Sequence, residues 1–148
     1  MRIRQFDLDD YEAAARVWAS ADEMAVPSYD ECATKLERDP HLFLVAEDDA
    51  TSDVVGVVMG TYDGRRGWIF RLAVDPIRRK SGIGRALVHE LERRYSEMGV
   101  AHIRLLVYEL NHSGREFWRR LGYEEFDQIV MSAKDLPLGG DDAEDVHC

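Results

Sequence analysis

Residues 74 to 87, Val-Asp-Pro-Ile-Arg-Arg-Lys-Ser-Gly-Ile-Gly-Arg-Ala-Leu, put a basic, glycine-containing turn between an apolar strand and a strongly helical segment. That order restricts the fold. A strand feeding a helix through a short turn, with a further apolar run at Ile103 to Val107 behind it, calls for a helical crossover between two parallel strands. It restricts the chemistry as well. Gly82 and Gly84 lack a Cβ, so the turn can aim several backbone N–H groups into one concavity, where the following helix adds the positive end of its dipole. Arg78, Arg79, Lys80 and Arg85 surround it with positive charge in a chain whose formal net charge is −10. The implied ligand is one small polyanion.

Two familiar glycine patterns do not fit. A mononucleotide phosphate loop places Lys-Ser/Thr after its last glycine, whereas Lys80-Ser81 comes before Gly82. A dinucleotide fingerprint needs a third small residue where Leu87 stands. What fits is Arg-x-x-Gly-x-Gly, as Arg79, Gly82 and Gly84, preceded by Leu72-Ala73-Val74 and followed by Ala86-Leu87. A second block, Asn111-His-Ser-Gly114-Arg-Glu-Phe117-Trp118-Arg-Arg-Leu-Gly122-Tyr123, follows at a matching distance. Together they resemble the GCN5-related N-acetyltransferase (GNAT) superfamily over residues 2 to 134. The stretches Phe43 to Glu47, Val54 to Gly60 and Tyr62 to Gly67 narrow the resemblance to a bacterial and archaeal subgroup of acetyltransferases.

The resemblance implies an α/β (α+β), GNAT-like fold. Its central sheet is mixed and mostly antiparallel, with splayed parallel strands at 67–74 and 102–107, and about four helices flank it. Acetyl-CoA is the implied cosubstrate. Leu72, Ala73 and Val74 would offer the backbone groups that hold pantetheine and polarise the thioester. Arg79, Lys80, Ser81, Gly82, Ile83, Gly84 and Arg85 would hold the pyrophosphate, with Arg78 and Lys80 open to a reading as solvated charge. Asn111 stands where the family has a helix cap that also reaches the CoA arm, and a cap alone is the other reading. Trp118 replaces the family's tyrosine, a candidate acid for the departing thiolate; indole cannot donate that proton, so Trp118 is expected to pack on the cofactor. A thiolate with a pKa near ~8.5 can take its proton from water instead.

A neutral amine must attack, and Glu47, Glu109, Tyr108 and Tyr62 are the candidate bases. Glu109 is preferred because it ends the splayed strand. The expected function is transfer of an acetyl group to a primary amine on a small molecule, a lysine or a protein N-terminus. A non-catalytic acetyl-CoA sensor or interaction domain is the alternative, made more plausible by Trp118. The acceptor loop is expected around residues 22–31 and 62–66.

Composition adds limits. The 148 residues, 45% of them hydrophobic, suffice for one ordinary core without staples. No apolar run long enough to span a bilayer occurs, and Met1-Arg-Ile-Arg is too charged to open a secretory signal, so a cytoplasmic protein without a membrane partner is expected. Cys32, Cys148 and the five histidines lack metal-ligand spacing, and both thiols are expected reduced. With cations confined to two short stretches, a nucleic-acid partner is not expected. The assembly is expected to be a monomer or homodimer.

Periodicity predicts strands at 2–6, 41–47, 54–62, 67–74 and 103–107. Helices are predicted after Asp7 or Asp9, over 28–37, over 84–98 and from Asn111 to Leu121. A final β segment or pair is expected over 123–134. Residues 1–135 form the expected domain, and 136–148 an acidic, disordered tail.

Overall fold

Five strands lie side by side in chain order in the computed structural model, which describes residues 1–21 and 25–138. They are β1 (Arg2–Gln5), β2 (Phe43–Glu47), β3 (Val54–Tyr62), β4 (Gly67–Val74) and β5 (Ile103–Leu105). The first four pair antiparallel, and β4 pairs parallel with β5. Strands β2 and β3 are apolar and buried almost throughout, because helices cover both faces of the sheet. Pro40 opens a short 3-10 turn, Pro40–Leu42, so β2 begins two residues later than its apolar run predicts.

Side chains alternate between the two faces of a strand, and here the alternation selects different helices. Phe43, Val45, Val57 and Met59 meet Ala14, Val17 and Trp18 of α1 (Tyr11–Ser20) and Cys32 of α2 (Tyr29–Arg38). Phe6 stacks on Phe43 with ring centroids 4.0 Å apart in the same cluster. Burying each of these large side chains stabilises the fold by about 1.5–3 kcal/mol. Capping sets where the helices start: Ser28 Oγ accepts from the Glu31 N–H at 3.1 Å while Glu31 accepts from the Ser28 N–H at 2.7 Å. At Asp7 a similar box opens a 3-10 turn, Leu8–Asp10, that leads into α1.

The opposite face carries α3 (Ile83–Glu97), whose Leu87, Leu91 and Tyr95 are fully buried. Glycines on the sheet let it approach closely. A Cβ on Gly67 would come within 2.7 Å of the Tyr95 ring, and one on Gly60 within 2.7 Å of its hydroxyl. That hydroxyl lies 2.7 Å from the Trp68 carbonyl and 3.1 Å from the Thr61 carbonyl, and burial raises its pKa.

The described chain falls into two compact units, residues 1–106 and a second beginning at Val107. In the second, α4 (His112–Arg120) starts at Asn111 and stops before Gly122, whose φ is +96°. The β segment expected over 123–134 is absent from the described residues. A turn at Asp127-Gln128 interrupts it, and Ile129 and Val130 are 66% and 83% exposed. Strand propensity alone does not make a strand there. Of the expected tail, residues 139–148, including Cys148, lie outside the described residues.

Candidate active site

The register of β3 and β4 contains the first element of the site. Val57 pairs with Ala73 and Met59 with Phe70, so Val58 faces both Arg71 and Leu72. This two-against-one arrangement is a β-bulge, which bends its strand and sharpens its twist. Arg71 takes φ +56°, a left-handed conformation unusual for a long side chain. Its carbonyl accepts the indole N–H of fully buried Trp18 at 2.9 Å. On the other side of β4, the parallel ladder covers only Gly67↔Ile103, Trp68↔Arg104 and Ile69↔Leu105. Leu72, Ala73 and Val74 therefore run on beyond the ladder, as splayed strands require. The same divergence ends β5 at Leu105, short of the expected 107.

From Val74 the chain enters the basic turn. Asp75 accepts from the Ile77 N–H at 3.2 Å and opens a 3-10 turn, Pro76–Arg78. Arg78 does not stay solvated: its guanidinium pairs with the carboxylate of Asp48, in the turn between β2 and β3. Ser81 donates its hydroxyl to the Arg78 carbonyl. Lys80 at φ +67° and Gly82 at φ +88° then reverse the backbone twice before α3 begins at Ile83.

Gly82 is the N-cap of α3, and no side chain caps this end. The N–H groups of Ile83, Gly84 and Arg85 lack acceptors within the helix, by the geometry of any helix start. Arg79, Lys80, Ser81, Gly82 and Arg85 are exposed around them, and Ile83 is buried against the sheet at Gly56. A Cβ at Gly82 would meet nothing within 4 Å, so the mouth of this cradle is open. Donors, dipole and cations together suit a diphosphate-sized anion.

Two carboxylates hold the surrounding turns. Asp48 is held down at about 2, first by the Arg78 guanidinium and then by the N–H groups of Thr51 and Ala50. Asp63 is also held at about 2, by the Arg66 and Arg65 N–H groups and the Trp68 indole, and it shapes the hairpin between β3 and β4 with Gly64 at φ +98°. Tyr62 gives its hydroxyl to the Gly64 carbonyl at 2.9 Å. Glu47 receives Arg4 Nε at 2.8 Å. These contacts give two of the four candidate bases structural partners.

The remaining predicted residues belong to the second unit. Asn111 caps α4 by accepting from the Gly114 N–H at 3.0 Å. A Cβ at residue 114 would lie 2.4 Å from the Asn111 amide nitrogen, so a larger residue there would have to displace the capping side chain. Trp118 is half-buried, edge-on to Phe117 at 5.0 Å and to Tyr123 at 5.2 Å. Glu109 is exposed, and its backbone carbonyl accepts from Arg115 at 2.7 Å. Of the expected acceptor loop, residues 22–24 lie outside the described residues. Among the described residues no His, Cys, Asp or Glu cluster is arranged to hold a metal, and no helix is long and apolar enough to cross a membrane. Sequence reasoning missed the contact between Trp18 and Arg71, which carries no local signal.

The sequence matches the profile of the Acetyltransferase (GNAT) family over residues 3–123. An acetyltransferase of Pectobacterium atrosepticum is 39% identical over 137 residues, spanning 90% of this chain and 95% of that protein. Among solved structures, Ard1 from Thermoplasma volcanium superposes with a TM-score of 0.74 at 25% identity, covering 82% of this chain and 80% of that one. Rv2747 from Mycobacterium tuberculosis, solved in complex with CoA, superposes with a TM-score of 0.70 at 25% identity, covering 85% and 73%.

Proposed function

The chain belongs to the GNAT family of acetyltransferases, and from that premise we propose that it moves an acetyl group from acetyl-CoA to a primary amine by direct attack. The observation that carries this reading is the uncapped start of α3, opened by left-handed Lys80 and Gly82, immediately after a bulged and partly unpaired β4. The cradle fits the pyrophosphate of CoA: Arg79, Lys80, Ser81 and Arg85 contribute side chains, and Gly82 to Arg85 contribute N–H groups. Backbone groups of Leu72, Ala73 and Val74 face the pantetheine arm and polarise the thioester carbonyl. Losing an oxyanion donor of this kind costs about 3 kcal/mol in barrier height.

Acetyl-CoA supplies the activated thioester. The amine nitrogen bonds to the acetyl carbon, the carbon–sulfur bond breaks, and the amine proton passes to a base or to water. Glu109 is the proposed base in this chain. Trp118 packs on the cofactor, and the thiolate takes its proton from solvent. The acceptor is a small-molecule amine, a lysine or a protein N-terminus, and the protein acts in the cytoplasm.

A second reading, binding of acetyl-CoA without transfer, is favoured by one observation: Trp118 stands where the family resemblance calls for tyrosine. The test is release of free CoA thiol across a panel of amines and N-terminal peptides, alongside calorimetry of acetyl-CoA binding. Release with at least one amine supports transfer. Tight binding with no release across the panel supports the sensor, and no binding defeats both.

A further inference from the structure

Among the described non-glycine residues, Ser52, Arg71 and Lys80 hold φ in the left-handed region, and Arg71 is the one that does so within a strand. Glycine would suit that backbone better unless the side chain has a task. The Arg71 guanidinium donates to the Ala25 carbonyl, in the segment between α1 and α2. Two residues on, the Pro27 carbonyl accepts the hydroxyl of Tyr11 at 2.8 Å. Burial pushes the Cys32 thiol up to about 11. The backbone carbonyl of Arg71 accepts the indole N–H of Trp18 of α1. Arg71 thus joins three things: the bulge, the helix before the acceptor loop and the loop itself.

We infer that Arg71 is a positioning residue that clamps the segment around Ala25 onto the β4 bulge. The loop offered to the acceptor and the backbone offered to the thioester are thereby held in one fixed relation. The catalytic half of this inference rests on the acetyltransferase reading above; the clamp rests on the contacts alone. Among the described residues the Arg71 bond holds Ala25 and the Tyr11 bond holds Pro27, and loss of the arginine frees the Ala25 carbonyl from β4. Binding of CoA at the start of α3 does not involve this contact.

Arg71→Gly removes the guanidinium while keeping a residue at ease with positive φ, and Arg71→Lys keeps the charge without the planar fork. Backbone order parameters from NMR relaxation at Ala25 and Val26 are expected to fall from about 0.85 towards about 0.6 in Arg71→Gly and by less in Arg71→Lys, with β2 and β3 unchanged. Acetyl-CoA affinity by calorimetry is expected to stay within about twofold of the natural protein. With the best amine of the panel, KM for the amine is expected to rise by about tenfold or more, and methylguanidine to recover part of the loss in Arg71→Gly. Unchanged order parameters at Ala25 and Val26 overturn the clamp whatever the activity. Lower order parameters with unaltered amine kinetics overturn the coupling to the acceptor. If the natural protein releases no CoA with any amine, the acetyltransferase reading falls, and the relaxation measurement still decides the clamp.

Discussion

Replacing Gly56 with alanine tests whether the cofactor cradle is held in place by the close approach of α3 to the sheet. Gly56 lies on β3 opposite Val74, and a Cβ there would come 2.9 Å from Ile83 Cγ2 and 3.0 Å from Leu87 Cδ1. Carbon atoms prefer about 3.5–4.0 Å, so the first turn of α3 must lift by roughly 0.6 Å or both side chains must leave their rotamers. Overpacking of this kind costs about 1–3 kcal/mol, and the higher strand propensity of alanine returns about 0.5–1 kcal/mol. The net expectation is a loss of about 0.5–2 kcal/mol, or a Tm lower by about 2–6 °C for a chain of this size. Because Ile83 is the first residue of the helix that presents its N–H groups to the anion, acetyl-CoA affinity is expected to fall by about tenfold. Thermal unfolding and calorimetry measure the two effects. Ile83→Ala removes the clashing methyl, so the double variant Gly56→Ala/Ile83→Ala is expected to be about 1 kcal/mol more stable than the sum of the single losses. A Gly56→Ala protein as stable as the natural one, with unchanged affinity, would refute the argument that this glycine exists to seat α3.

Gly84→Glu adds a side chain and a negative charge at the mouth of the cradle, and is expected to abolish acetyl-CoA binding in calorimetry while circular dichroism reports an intact fold. Trp118→Phe is expected to retain most turnover, and Trp118→Ala to lose about 3–5 kcal/mol shared between folding and binding. Trp118→Tyr speeds turnover only if thiolate protonation limits the rate, and loss of turnover in Trp118→Phe with intact binding would show that the indole N–H is essential. The Asp48 carboxyl, depressed to about 2, gives its ion pair with Arg78 in full above an ordinary carboxylate pKa near ~3.9 and loses it as pH falls through about 2. An NMR titration is therefore expected to place the Asp48 midpoint near 2, and Asp48→Asn to flatten the dependence of stability on pH between ~4 and ~2; a midpoint at the ordinary value contradicts the pairing.

Local patterns in the sequence were enough for the order of elements from β1 to α4 and for the glycine-opened start of α3. The runs around Val54 to Tyr62 and Gly67 to Val74 are apolar over the length of a strand, and Leu87, Leu91 and Tyr95 recur at helical spacing. Gly82 before a helix start needs no distant partner to leave that end without a side-chain cap. The tertiary structure decided the rest, because each remaining feature depends on atoms remote in the chain. Arg78 looks like solvated charge until Asp48, thirty residues away, is placed beside it. Glu47 and Tyr62 look unpartnered in the sequence until Arg4 and the Gly64 carbonyl engage them. Residues 123–134 have the composition of a strand, yet a strand exists only where another edge accepts its hydrogen bonds, and a turn forms there instead. The bulge at Arg71 is the clearest case. Nothing in Phe-Arg-Leu-Ala-Val announces a left-handed arginine; that conformation comes from a two-against-one register with Val58 and from contacts with Trp18 and Ala25. Propensity and periodicity are properties of neighbours along the chain, whereas register, strain and ion pairing are settled only when distant segments meet.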